Sequence, residues 1–425
     1  MKQGFGTIMS AQFVSALADT ALGVVALELL RADNMASRVA WLAPMLALFY
    51  VLLAPFLGAF ADAWPKGRVM LLANTVKMVG CLMMLVGVNP LVAYAVVGLG
   101  AAAYSPAKYG IVIELLPASQ LVRANGWIEG LTIVSIILGI AFGGFLVGPT
   151  MSRHLLALDV PLHWETLRTG PETALGVLAV LYVVAAAITL RIPRTDAPLQ
   201  PLDQGVAGML RDFVDCNGRL WADRLGQISL ATTTLFWGAS ANLKNIVFAW
   251  AAVALGYNTS HTSALILVLA VGTAGGAVLA SMRVRLDQAM QVLPLGVGMG
   301  LLVIALSLVR SPWAAAPVLL VLGGVGGYLV VPMNALLYHR GATLMGAGRS
   351  LAVQNFNEQS CILGFAAFYI TMTRLGLTAV SAVAVFGLLV AGAMGLVLRW
   401  HRANHYKYPQ ELGHLLAVAR SEAPH

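Results

Sequence analysis

The chain has 425 residues, 59% of them hydrophobic and only 10% charged, with a mean hydropathy of +0.82. A soluble domain usually carries about 25% charged residues, so this chain cannot make a water-compatible surface, and lipid must cover much of it. The net charge of +8 would suggest nucleic acid in a soluble protein; here the cations sit between apolar runs and report membrane topology, and no nucleic-acid partner is expected.

A helix needs about 20 mostly apolar residues to cross the hydrocarbon core. On that basis the first spans fall at 8–30, 40–61, 69–88, 91–115, 124–148 and 172–192. The first starts near Ile8, with no small-residue cleavage site and soluble domain behind it, and reads as a retained helix. Within it Asp19 is a mid-membrane acid, and Glu28 lies toward its far end. Gly58-Ala-Phe-Ala-Asp62-Ala-Trp-Pro-Lys66-Gly67-Arg68 joins the second span to the third. Gly58 permits close helix contact, Asp62 can cap a helix end, and Lys66 and Arg68 anchor one membrane surface; together they form a candidate gate. Lys77 is read as snorkelling to that same surface. The fourth span carries Ser105-Pro106 and Lys108, and the fifth Asn125 and Glu129.

A polar linker with Arg191, Arg194, Asp196, Asp203, Arg211, Asp212, Asp215 and Arg219 follows, then spans at 227–255, 262–282, 290–309, 313–338, 348–372 and 376–399. Lys244 lies near the middle of the seventh, and Asn355 and Glu358 lie on the eleventh. The expected fold is all-α: twelve transmembrane helices in two six-helix bundles, 1–192 and 226–402, with a linker at 193–225 and a tail at 403–425. Phe13 with Ala18-Asp19 and Phe236 with Ala241-Asn242 share one spacing, as a duplicated half would leave. With both termini cytoplasmic, seventeen of the 26 Lys and Arg fall on the cytoplasmic side and six on the other, which sets the orientation. The tail is read as either a surface helix or a disordered segment.

A central charge costs at least about 2.5–3.5 kcal/mol on insertion scales, so it faces a cavity or a partner. Asp19 and Lys244 lie on helices that would be equivalent in the two halves. They are read as facing a shared cavity, either as substrate contacts or as an ion pair that sets closure. Lys108, Glu129, Glu358 and Asn355 complete the candidate substrate-binding set; for Glu129 and Glu358 a cap or interhelical hydrogen bond is the alternative. Neither enzyme chemistry nor a cofactor is expected. His154-Leu-Leu-Ala-Leu-Asp159 matches the short His-x4-Asp acyltransferase pattern, but no catalytic domain surrounds it. There is no Gly-x4-Gly-Lys-Ser/Thr loop, no His/Cys metal spacing, and the three cysteines are scattered.

The Gly58–Arg68 segment resembles the loop signature of the major facilitator superfamily, with a longer interval between Asp and Gly. Ala11–Leu22, Lys66–Met70, Gly100-Ala-Ala-Ala-Tyr-Ser-Pro-Ala-Lys-Tyr-Gly110, Leu235-Phe-Trp-Gly238, Val331–Leu337 and Ala352-Val-Gln-Asn355 with Glu358 are similar to the bacterial lysophospholipid transporters. That resemblance implies a flippase carrying lysophosphatidylethanolamine and related lysophospholipids from the outer to the inner leaflet of the inner membrane, with a cytoplasmic-side acyltransferase as functional partner. It also implies roles for Asp19, Lys108 and Glu358. Lys244 departs from the family, which has Arg there; Arg clasps a phosphate through two donors, whereas Lys is a point charge. A proton-coupled exporter with Asp19 or Glu358 as carrier, and an accessory subunit that positions an acyltransferase, are the competing readings.

Overall fold

The computed structural model describes residues 4–32, 42–148, 151, 170–195, 197–202 and 205–419. They form α1 (Phe5–Ala32), α2 (Leu42–Leu52), α3 (Ala54–Ala63), α4 (Lys66–Leu85), α5 (Pro90–Leu115), α6 (Ala118–Val147), α7 (Gly170–Thr189) and α8 (Val206–Ala222). After these come α9 (Gly226–Ala254), α10 (Thr259–Arg283), α11 (Pro294–Leu308), α12 (Pro312–Met345), α13 (Ala347–Arg374), α14 (Ala379–Lys407) and α15 (Pro409–Ala419). Lipid offers no hydrogen bonds to backbone, so a spanning segment must satisfy its own polar groups, and the helix does this within one segment. Nine helices among the described residues are long and apolar enough to cross a membrane. The other three spans differ in instructive ways. The second is split at Leu53, just before Pro55, into α2 and α3. The seventh and eleventh, α9 and α13, carry so many Thr, Ser, Asn, Gln and charged residues that they are the least lipid-like of the set.

One feature exceeds the sequence-based expectation, and a second is one of the two readings given for the tail. The linker holds a strongly amphipathic helix, α8, whose Cys216 and Leu220 are buried. The tail is helical as well: α14 runs on to Lys407, and α15 buries Leu412. The His154–Asp159 pattern lies outside the described residues.

The chain divides into two compact units. The first comprises residues 1–115 and 134–213 together with 347–352, the first turn of α13; the second comprises 116–133, 214–346 and 353–425. The core of the first is built from Leu22, Val25, Cys81, Val97, Leu175 and Tyr182, among others, on α1, α4, α5 and α7. In the second, α10 and α12 cross at glycines on both sides. A Cβ at Gly276 would lie 2.0 Å from Gly324 O, and one at Gly323 would lie 2.1 Å from Leu269 O. Gly272 with Gly276, and Gly323 with Gly327, are the Gly-x3-Gly pairs that let two backbones touch where lipid offers no hydrophobic drive to pack.

Candidate functional site

In the first unit, Ser15 and Asp19 lie one turn apart on α1, so they share a face, as do Asn74 and Lys77 on α4. The two faces meet. Lys77 Nζ is 2.7 Å from Asp19 Oδ2 and donates to Ser15 Oγ at 3.1 Å. Ser15 Oγ in turn donates to Asn74 Oδ1 at 2.8 Å. Tyr182 Oη on α7 donates to Asp19 Oδ1 at 2.9 Å, and the Lys77 ammonium lies 4.5 Å from the centre of the Tyr104 ring on α5. The pair is asymmetric: the Lys77 side chain is 1% exposed and that of Asp19 is 31% exposed. One carboxylate is thus held by a buried cation and a tyrosine while part of it stays open. The sequence reading has Lys77 snorkelling to the membrane surface; the structure buries it instead, because a partner of opposite charge is available at mid-helix. Two polar residues one turn apart within each apolar span were the available signal.

Lys108 on α5 is buried, with Nζ 3.9 Å from the centre of the Tyr109 ring. In the second unit, Gln354 Nε2 donates to Glu358 Oε1 at 2.7 Å and to Asn334 Oδ1 at 3.1 Å. The Glu129 carboxylate of α6 is close enough to Glu358 to act on it electrostatically, and both side chains are buried. Beside Pro332 of α12, Asn125 Nδ2 donates to Val331 O at 2.9 Å. Asn355 is half-buried. Lys244 on α9 is exposed and forms no ion pair or hydrogen bond among the described residues, in contrast to Lys77 and Lys108.

The Gly58–Arg68 segment closes around the first turn of α13. Asp62 Oδ1 accepts from Gly348 N at 2.7 Å and Oδ2 from Arg349 N at 2.9 Å, so its carboxylate caps a helix N-terminus, where backbone donors are otherwise unpaired. Lys66 Nζ bridges Asp62 (3.0 Å) and Glu114 (3.2 Å) and donates to Ala61 O. The Arg349 guanidinium reaches Asp212 of α8 at 2.6 Å and also bonds Gln200. Gly58 is required by contact: a Cβ there would lie 2.6 Å from Ala352 Cβ and 3.1 Å from Arg349 Cα. Three of the four expected gating residues therefore meet. Arg68 does not join them; it is exposed, and Arg349, far away in sequence, takes the cationic place. The longer Asp-to-Gly interval is used by Trp64, which is extended, and Pro65, which precedes α4.

In the second unit the end of α8 is tied down by Arg340, which binds Asp223 at 2.5 and 3.1 Å. Asn357 bonds both Asn217 and Trp221, and Trp221 stacks on Trp400 at 6.3 Å.

Residues 8–359 match the sequence profile of the Major Facilitator Superfamily. The chain is 36% identical to the lysophospholipid transporter LplT of Photorhabdus laumondii over 95% of this chain and 96% of that protein. It is 37% identical to LplT of Salmonella arizonae over 94% and 96%. The fold is similar to that of the Escherichia coli fucose:proton symporter FucP (TM-score 0.70, 13% identity, 94% of this chain and 98% of that one). It is also similar to that of the human organic anion transporter MFSD10 (0.68, 16%, 94% and 100%). By its sequence profile and its near-full-length relatives, the chain belongs to the Major Facilitator Superfamily, within its family of bacterial lysophospholipid transporters.

Proposed function

We propose that this protein is a lysophospholipid flippase of the bacterial inner membrane, with both termini cytoplasmic, that moves lysophosphatidylethanolamine and related lipids from the outer to the inner leaflet. The observation that carries this reading is identity of 36–37% to lysophospholipid transporters along almost the entire chain. The residues suit the cargo. A lysophosphatidylethanolamine headgroup presents an ammonium and a phosphate. In the first unit, Asp19 is anchored on one side and partly open on the other, as a receptor for the ammonium would be. In the second unit, Lys244 is a cation with its charge unspent, suited to the phosphate. Lys108 in the first unit, and Glu129, Glu358 and Asn355 in the second, serve as the remaining polar contacts and relays. The acyl chain stays among the helices at a lateral opening while the headgroup crosses, which spares the headgroup the cost of entering hydrocarbon. The capping of the first turn of α13 by Asp62, braced by Lys66 on Asp62 and by Arg349 of that turn on Asp212, acts as the gate, broken and remade in each cycle. A cytoplasmic-side acyltransferase consumes the delivered lipid.

The test is uptake of labelled lysophosphatidylethanolamine by spheroplasts carrying the protein, its Lys244→Ala variant, or neither. Uptake that needs the protein and falls several-fold in the variant supports the reading. Absence of protein-dependent uptake, with expression confirmed, overturns it and favours a proton-coupled exporter.

A further inference from the structure

At the linker end of the first unit, a cavity of about 270 Å³ lies between the start of α4, Ile111 of α5 and the segment 189–195 that leaves α7. Its floor is apolar, formed by Leu71, Ile111 and Ile192, while Arg68 and Arg194 stand at it from two separate elements. Both arginines are exposed, and neither has an ion pair or hydrogen bond among the described residues. This is unlike Lys66 and Arg349 of the same unit, which are both consumed by carboxylates. No side chain caps α4, whose first residues also line the cavity. Two free guanidiniums and an uncapped helix start converge on one small volume, so the chemistry they select is an anion with several acceptor oxygens.

We propose that this cavity binds the phosphodiester headgroup of an anionic bilayer phospholipid, such as phosphatidylglycerol, as a resident lipid distinct from transported cargo. The surroundings favour a lipid over a soluble anion. Leu190, part of the lining, is 69% exposed, and Leu72, next to the lining residue Leu71, is 50% exposed. Val79 on α4 and Val183 on α7 continue that apolar surface, giving acyl chains a track away from the headgroup. The volume falls just below the ~300–1,000 Å³ of sites that enclose a small molecule, so it suits a headgroup and not a whole lipid. Basic pockets of this kind at a membrane surface are suited to acidic headgroups. Lys66 lines the cavity and also holds Asp62, so an occupant would sit against the contacts that fasten the first turn of α13.

The experiment uses the purified full-length chain in neutral phosphatidylcholine nanodiscs titrated with phosphatidylglycerol, with retained lipid counted by native mass spectrometry and the melting temperature followed in parallel. The wild type should retain phosphatidylglycerol in preference to phosphatidylcholine. Arg194→Gln should weaken that preference about tenfold, the loss of roughly one charge-assisted hydrogen bond. Arg194→Lys should keep most of the preference, and the Arg68→Gln/Arg194→Gln pair should abolish it. Arg194 bonds nothing among the described residues, so its single variants remain readable even if the double variant expresses poorly. Unchanged preference in Arg194→Gln overturns the site. Equal stabilisation by inorganic phosphate in the absence of phosphatidylglycerol overturns the lipid assignment and makes the cavity a site for a soluble anion.

Discussion

Asp19 and Lys77 are unequal partners, and their substitutions should not be equivalent. Removing Asp19 strands an ammonium that is 1% exposed, whereas removing Lys77 leaves a carboxylate that is one-third open and still bonded to Tyr182. Breaking a buried pair from the side that leaves a stranded charge costs about 3–5 kcal/mol. Asp19→Ala should therefore lower the melting temperature of the purified protein clearly more than Lys77→Met. Equal shifts would show that the exposed part of Asp19 contributes nothing to the balance. Lys244 belongs to the opposite class. It bonds nothing among the described residues, so Lys244→Ala should leave the stability within about 0.5 kcal/mol of wild type, as for a surface change. Only substrate uptake should then report the loss. Asp19 was legible as an intramembrane acid from its setting in an apolar run. Its partner was not, because three lysines, Lys77, Lys108 and Lys244, stood within spans on different helices, and only packing decides which one the carboxylate reaches.

The helix ends carry the next set of expectations. Asp62 caps the first turn of α13 through two backbone donors, and Gly58 leaves the space that lets this turn approach. Asp62→Asn keeps the shape but gives up the charge, and Gly58→Val fills space already held by Ala352 and Arg349. Each should loosen that turn, where Ser350 is buried. In a background without native cysteines, Ser350→Cys should react with a maleimide several-fold faster when either substitution is added. Unaltered labelling would mean that the cap does not hold the turn. In the second unit, Arg340 and Asp223 are each 9% exposed and bonded twice. Arg340→Ala should cost about 3–5 kcal/mol, read as a lowered denaturation midpoint, because it leaves Asp223 buried without its cation. The loop signature was readable as Gly58, Asp62, Lys66 and Arg68, of which Arg68 stays outside the cluster. Arg349 was not, since it enters from nearly 290 positions away and no spacing rule links it to that loop.

At the scale of the whole molecule, the distribution of cations predicts topology. Seventeen of 26 Lys and Arg on one side should place the linker and both termini in the cytoplasm. Impermeant labelling of cysteines introduced at exposed Arg211 or Arg402 should therefore require permeabilised cells, while a cysteine at Arg310 should react in intact spheroplasts. Reversal of that pattern would invert the assignment, and with it the direction of lipid movement.

Twelve apolar runs, their turns and the polar linker were determined by the sequence alone. The reason is that lipid penalises every unpaired backbone group and every unpartnered charge, so a spanning helix is written as a continuous local run. Membership of the transporter family was legible in the same way, from short contiguous stretches around Tyr104–Gly110 and Asp62–Arg68. Only the tertiary structure decided which charges neutralise one another. It joined Asp19 to Lys77, gave Asp62 to the start of α13, consumed Lys66, Arg340 and Arg349, and left Arg68, Arg194 and Lys244 without a partner among the described residues. A charge spends itself on whatever lies within a few ångströms, and those neighbours come from segments that no local pattern brings together.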